Sequence, residues 1–352
     1  MKMNIKNIKG NNGIDFSVLK GKSILFFMPD HNNIYKVFSS NIEMLGMNLI
    51  YIPPSPHFFY KSKKDRVVNF FRKTFFKDEN YKKKLIQKFN VEYFIERIKG
   101  IEERSIDYIF IIRPDIIKEE ILDRLLCLGK KSIAYQWDGL NRFPEVFNTI
   151  TKFDKFYVFD IGDYQKYHSK YPNLQLTHNF FFEEPLDITE NVQQVKKIDI
   201  FYLGSYIEDR MGDVLYIVEN LENLDLSMDI RLAYWKKIDF ANKHIVFFKD
   251  VIDFSEYLKL VKNSKVLLDF KVKEHDGLSL RFFESLKYQK KIITNNKSVV
   301  EYDFYNPKNI FILHQDNVTD LKSFIFSDYD PLPIELVEKY SFSTWLYNCL
   351  YL

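Results

Sequence analysis

Cysteine is almost missing from this 352-residue chain. Cys127 and Cys349 stand far apart with no ligand-type spacing, so neither a disulfide framework nor a zinc cluster is written into the sequence, and a reducing cytoplasm is the expected setting. Long apolar runs are missing too. No segment reaches the roughly 18 uninterrupted apolar residues of a membrane span, and residues 1–18 are mixed polar without the apolar core of a signal peptide, so neither insertion nor export by that route is expected. Glycine and proline number only 11 each, which leaves no tract that composition would keep unfolded. The net charge of +3 is too small to imply nucleic acid as a partner. The histidines, among them His57, His168, His178 and His314, show no metal-type spacing and are read as structural.

What is present is the make-up of a folded enzyme or binding protein: 46% hydrophobic, 28% charged and 17% aromatic residues. A chain of this length exceeds the roughly 250–300 residues that one core organises, so two domains are expected. In the first half, short apolar runs at 23–28 (SILFFM), 49–52, 108–112 (YIFII), 132–136 and 155–159 alternate with helical patterns at 33–45 and 118–128. Gly46 and Gly129 are the expected caps of those helices. Apolar strands alternating with helices of about ten residues argue for a parallel, doubly wound α/β sheet.

The alternation lapses between 183 and 197, an acidic, proline-containing stretch that reads as a linker. It resumes with strands at 198–203, 228–233, 244–248, 266–270, 291–294 and 309–313 and helices at about 209–220, 254–263 and 280–288. The expected organisation is a domain over 1–182 with a basic, aromatic helical insertion at 58–100, the linker at 183–197, a second domain over 198–332, and a helical tail at 333–352 packing back on the first domain. Two doubly wound sheets make a cleft between their carboxyl ends, where open α/β sheets bind ligands.

The strongest local signal is residues 269–296, DFKVKEHDGLSLRFFESLKYQKKIITNN. A buried strand runs into a charged loop with Asp276, turns at Gly277, and enters a helix with Ser279 available as N-cap. Free N–H groups and the helix dipole at such a start favour a phosphate. Arg281 sits in the first turn, where a cation opposes the dipole; a diphosphate would explain it. Glu284, one turn deeper on the same face, is placed to accept both hydroxyls of a ribose. The competing explanation is a solvated Arg281–Glu284 ion pair with Gly277 as an ordinary turn. His275 borders the same loop, as a phosphate contact or a surface residue.

The run Gly277, Leu278, Ser279, Leu280, Arg281, Phe282, Phe283, Glu284, Ser285, Leu286, followed by Lys290 through Asn295, resembles the donor-binding helix and next strand of GT-B glycosyltransferases. It looks most like bacterial enzymes of lipopolysaccharide or capsule synthesis. Residues 135–138 (YQWD) and 303–306 (DFYN) agree, and Phe201, Leu203, Gly204 and Ser205 resemble the opening strand and glycine turn of the donor domain. The resemblance spans most of 108–317 and is weak before 107. It implies a GT-B fold, a nucleotide-sugar donor held without a tightly bound metal, Glu284 on the ribose, and Arg281, Ser279, Leu278, Gly277, Gly204 and Ser205 near the diphosphate. Asp276 stands where the best-known pattern has a glutamate. The string Asp328-Tyr329-Asp330 lies in coil before Pro331 and reads as a turn.

For an inverting transfer, a first-domain residue must deprotonate the acceptor hydroxyl. Asp138, which ends a buried strand, is the first candidate, with a cap before Gly139 as its alternative role; Asp30 and His31, after the first strand, are the second. The stretch 58–99 carries thirteen Lys or Arg against five Asp or Glu, interleaved with aromatics such as FFRKTFF. That pattern suits peripheral contact with an anionic membrane at the inner face, where lipid-linked glycan acceptors reside; alternatively its aromatics are core and its lysines solvated. Rival functions are a sugar-nucleotide epimerase or phosphotransferase on the same fold, and a non-catalytic glycan-binding module.

Overall fold

The computed structural model describes residues 13–78, 80–183, 197–235 and 242–351. The expected linker at 183–197 thus lies outside the described residues except for its ends, Glu183 and Lys197.

The first sheet contains β1 (Ser23–Phe27), β2 (Asn48–Ile52), β3 (Ile106–Ile112), β4 (Gly129–Gln136), β5 (Lys155–Val158) and β6 (Leu174–Leu176) in the order β2-β1-β3-β4-β5-β6, with every pair parallel. Between its strands run α1 (Ile34–Met44), α2 (Lys63–Phe76), α3 (Asn80–Ile98), α4 (Glu119–Cys127) and α5 (Ile161–Tyr167). The second sheet contains β7 (Ile198–Ser205), β8 (Met228–Ala233), β9 (Ile245–Phe248), β10 (Ser264–Asp269), β11 (Lys291–Thr294) and β12 (Ile310–Ile312), also all parallel, in the order β12-β11-β10-β7-β8-β9. Its helices are α6 (Glu208–Leu221), α7 (Phe254–Asn263), α8 (Leu280–Tyr288) and α9 (Leu321–Phe326); α10 (Ile334–Glu338) and α11 (Phe342–Tyr351) close the chain. The chain is therefore α/β, with the two Rossmann-like, doubly wound sheets expected of the GT-B fold.

Each sheet is buried on both faces because its strands are apolar at nearly every position. Ile24, Phe26, Phe110 and Ile133 point to one side of the first sheet, and Leu25, Phe27, Ile109 and Ile111 to the other. The cluster on the first of these sides continues into the second domain through Phe180, Phe182 and Phe282. Helix α11 belongs to it: the Trp345 ring lies 4.1 Å from Phe180 and 5.1 Å from Tyr135 between centroids.

Several local expectations are corrected. Gly129 does not cap α4 in a left-handed turn; it begins β4, and a Cβ there would lie 2.3 Å from Ile109 Cγ1, so close strand packing requires the glycine. Gly46 does adopt φ +75° after α1. Strand β6 and helix α5 were not expected, and the tail is two helices, interrupted where Ser341 bridges to Phe181.

In the second sheet the strand order reverses between β7 and β10, and in the first between β1 and β3. Ligands of open α/β sheets sit at the carboxyl ends of the strands at such switch points.

Candidate functional site

The switch point of the second sheet is spanned by one side chain. Arg281, from the first turn of α8, donates from Nη1 to Asp269 Oδ1 (2.6 Å) at the end of β10 and from Nη2 to the Leu203 carbonyl (2.7 Å) near the end of β7. Ser279 Oγ donates to the same Asp269 oxygen (2.6 Å), so Ser279 makes no side-chain cap on α8 although it occupies the N-cap position. Asp269, 3% exposed, is the internal counter-charge that explains a cation at a helix start, with no phosphate required. The alternative of a solvated Arg281–Glu284 pair is excluded: Glu284 is 3% exposed and takes its hydrogen bond from the Tyr257 hydroxyl of α7.

Burial pushes the Glu284 carboxyl up to about 7, against the opposing pull of the Tyr257 hydroxyl and the Arg281 charge. This buried carboxyl lies on α8, one turn from Arg281, which spans the switch point of the second sheet. Gly204 and Ser205 lie inside β7, not in a turn after it. A Cβ on Gly204 would come within 2.7 Å of the Tyr202 hydroxyl, and the Arg281 guanidinium lies 5.2 Å from the Tyr202 ring. The glycine therefore keeps space at the strand end above which Arg281 lies.

The loop before α8 is held by the opposite domain. Asp160, which follows β5 and caps α5 through Asp163 N–H, accepts N–H bonds from Asp276 (2.7 Å) and Gly277 (2.8 Å) with its other oxygen. Gly277 has no left-handed φ; a Cβ there would lie 2.4 Å from the Phe159 ring, so closeness of the two domains demands glycine. Asn179, which accepts from the Tyr135 hydroxyl, donates to the Leu278 carbonyl (2.8 Å). Asp276 itself is exposed and paired with Lys271. The His275 ring packs edge-on to Phe159 at 5.0 Å, its Nδ1 is buried with no partner, and burial lowers its basicity. Beyond this clamp, the N–H groups of Leu280 and Arg281 in the first turn of α8 have no protein acceptor among the described residues, which leaves the helix start able to take an anion.

Across the cleft, the loops after β1 and β4 meet: the His31 ring lies 6.3 Å from that of Trp137, edge to face. Both oxygens of Asp138 are engaged, one by Arg113 (2.6 Å) and one by Arg142 (2.9 Å), and Arg113 is also bound bidentately by Asp115. Asp138 is thus tied into an arginine network, whereas Asp30 and His31 are exposed, Asp30 accepting only the Asn33 N–H (3.3 Å) among the described residues. This loop also reaches the second domain. Asn33 Nδ2 donates to Asp253, the N-cap of α7 (2.9 Å), and the Asn32 carbonyl accepts from Phe254 N–H (2.9 Å). One turn along α7 stands Tyr257 on Glu284, so His31 and Glu284 are connected through a single helix end.

The sequence reading missed Asp269, Tyr257, Asp160 and Arg113. Two had a visible signal, since Asp269 and Asp160 each interrupt an apolar strand run at its carboxyl end. The string 328–330 is irregular coil rather than a turn: Asp330 is held by Asn306 (3.0 Å) and Lys308, and Asp328 lines a cavity of about 380 Å³ at the opposite, amino-terminal edge of the second sheet with Lys197, Lys262 and Lys290. Among the described residues no group of three or more His, Cys, Asp or Glu is placed to hold a metal ion.

No family model matches the chain, and no curated protein matches it in sequence. Solved structures with a similar backbone course include sucrose-phosphate synthase from Thermosynechococcus elongatus (TM-score 0.49, 10% identity, 86% of this chain and 88% of that one). Others are the glycotransferase of kitacinnamycin (0.44, 12%, 93% and 95%) and the glycosyltransferase SnogD from Streptomyces nogalater (0.39, 10%, 91% and 98%).

Proposed function

We propose that this chain is a glycosyltransferase that moves a sugar from a nucleotide-sugar donor to a hydroxyl of a cell-surface glycan, such as lipopolysaccharide, capsule or a related polysaccharide. The observation that carries the reading is Glu284: a buried carboxyl with its pKa lifted to about 7, beside the switch point of the second sheet and one turn from a helix start with free N–H groups. In this reading Glu284 binds the ribose as a carboxylate, and the diphosphate lies over the start of α8. The α8 dipole and the N–H groups of its first turn stabilise the departing diphosphate, while Arg281, bound to Asp269 and the Leu203 carbonyl, holds the strand ends on which the site is built; no metal enters the proposed chemistry.

His31, with Asp30 beside it, is the proposed base for the acceptor hydroxyl. Asp138 instead orients Arg113 and Arg142, because both of its oxygens are taken. The balance is simple: the acceptor oxygen forms the new bond to the anomeric carbon, the bond to the diphosphate breaks, and the proton passes to the base.

The test is product analysis with nucleotide sugars and glycan acceptors. A transferase releases free nucleotide in proportion to acceptor consumed, and His31→Gln slows that release at least tenfold without changing nucleotide affinity. An isomerised nucleotide sugar formed without acceptor would mean an epimerase, and glycan binding indifferent to nucleotide would mean a non-catalytic module.

A further inference from the structure

Helix α2 is amphipathic in the wrong sense for a soluble surface. A helix on a globular domain turns its apolar stripe to the core and its polar side to water. In α2 the inward side is polar: Asn69 is its buried residue and donates to the Tyr60 hydroxyl (2.9 Å), Asp65 accepts from the Tyr81 hydroxyl (3.0 Å), and the Arg72 guanidinium lies 4.9 Å from the Tyr81 ring. The outward stripe is Val67, Phe70, Phe71 and Phe75, at the i, i+3, i+4, i+8 spacing of one helical face, with Phe76 at the helix end; all are between 52% and 78% exposed. Phe71 and Phe75 stack on each other at 5.6 Å, offering one continuous aromatic surface to solvent. Solvent exposure of five such side chains on fourteen residues is not a packing solution; it is a surface awaiting an occupant.

The rim identifies the occupant. Lys63, Lys64, Arg66, Lys73 and Lys77 are exposed around the aromatic stripe and pair with no carboxylate among the described residues. Lys82, Lys83 and Lys84 follow at the start of α3. A two-fold contact with a second copy would set this cationic rim against itself. A bilayer with anionic headgroups supplies both complements at once, hydrocarbon for the phenylalanines and negative charge for the lysines. At 1.5 Å per residue the helix extends about 21 Å, long enough to lie in the headgroup plane and too short and too charged to cross.

We infer that α2 is a membrane-docking helix that lies in the interface of an anionic bilayer with Phe70, Phe71 and Phe75 inserted. The α2–α3 hairpin leaves from the carboxyl end of β2, the sheet edge that also carries the Asp30–His31 and Trp137–Asp138 loops, so docking brings the acceptor side of the cleft to the lipid surface. The inference does not depend on the glycosyl-transfer reading, and it stands or falls on lipid binding alone.

Co-sedimentation of the full chain with phosphatidylcholine vesicles, with and without 30% phosphatidylglycerol, tests it. The wild-type chain sediments with the anionic vesicles and at least tenfold less with the neutral ones, and 0.5 M salt weakens the binding. The double variant Phe71→Ser/Phe75→Ser, whose side chains make no core contact, keeps the wild-type melting temperature and loses at least tenfold in partition. Equal partition of wild type and variant, or no sedimentation with anionic vesicles, overturns the inference. So does a self-association of the wild-type chain in sedimentation velocity that the double variant abolishes.

Discussion

Glu284→Gln should weaken nucleotide binding about 100-fold at pH 8, as expected when two charge-assisted hydrogen bonds of roughly 1.5 kcal/mol each are lost. Titration calorimetry measures it. The pH profile carries the mechanism. In the free protein the carboxyl titrates near 7, and the ribose is bound by the carboxylate, so wild-type affinity rises roughly tenfold per pH unit below 7 and levels off above it. The Gln variant has no proton to lose at this position, and its weak affinity should be flat over the same range.

Stability separates this effect from misfolding. The Glu284 pKa is raised on folding from 4.5 to about 7. Its contribution is therefore fully present below about 4.5 and lost as pH rises through 7, a cost to the free protein of up to about 3 kcal/mol. The neutral glutamine avoids that cost while remaining able to accept from Tyr257. At pH 8 the variant should melt no lower than wild type; a variant that both binds poorly and melts early would point to a packing role.

Arg281→Ala should have the largest effect on stability. The substitution removes the guanidinium from Asp269, 3% exposed, and from the Leu203 carbonyl, leaving a buried carboxylate with, among the described residues, only the Ser279 hydroxyl as side-chain partner. Breaking a buried ion pair from one side costs about 3–5 kcal/mol, which in a domain of this size lowers the melting temperature by roughly 10 °C. The double variant Arg281→Ala/Asp269→Asn should recover part of the loss, because the orphaned charge is gone. Calorimetric melting of the two proteins checks both statements. If Arg281 served only a bound phosphate, the single variant would melt like wild type in the absence of nucleotide.

The residues that explain these effects differ in how far the sequence disclosed them. The buried strands were plain, since runs such as SILFF and YIFII admit few other placements in a chain of alternating elements. Strand β6 was not: it is three residues long with Gln175 and Leu176 exposed, and its short preceding helix, IGDYQKY, is polar along most of its length. Gly129 deceived because a glycine after a helical pattern usually caps it, and its true constraint, the nearness of Ile109, belongs to a strand about twenty residues earlier.

In the site, the resemblance of 277–286 to a donor helix led to Glu284, but the partners that define its chemistry come from elsewhere in the chain. Tyr257 reaches Glu284 only because α7 packs beside α8, and Asp160 reaches Asp276 and Gly277 only because the two domains meet. Local pattern carries no trace of either contact, although Asp160 itself stands out at the end of an apolar run. The aromatic insertion was ambiguous for the same reason: whether FFRKTFF faces core or solvent depends on which side of α2 meets α3. The polar inward contacts of Asp65, Asn69 and Arg72 decide it.

In the proposed function the second domain holds a nucleoside diphosphate across Glu284 and the start of α8. Thermal melting of the wild-type chain at pH 8 with UDP, GDP, CDP and ADP tests this binding, because a ligand bound only by the folded state stabilises it by RT ln(1 + [L]/Kd), about 2.7 kcal/mol at a hundred times Kd. One nucleotide of the panel should raise the melting temperature by several degrees, and Glu284→Gln should abolish the rise. No shift with any nucleotide, or an equal shift in the variant, would mean that Glu284 and the start of α8 hold no nucleotide.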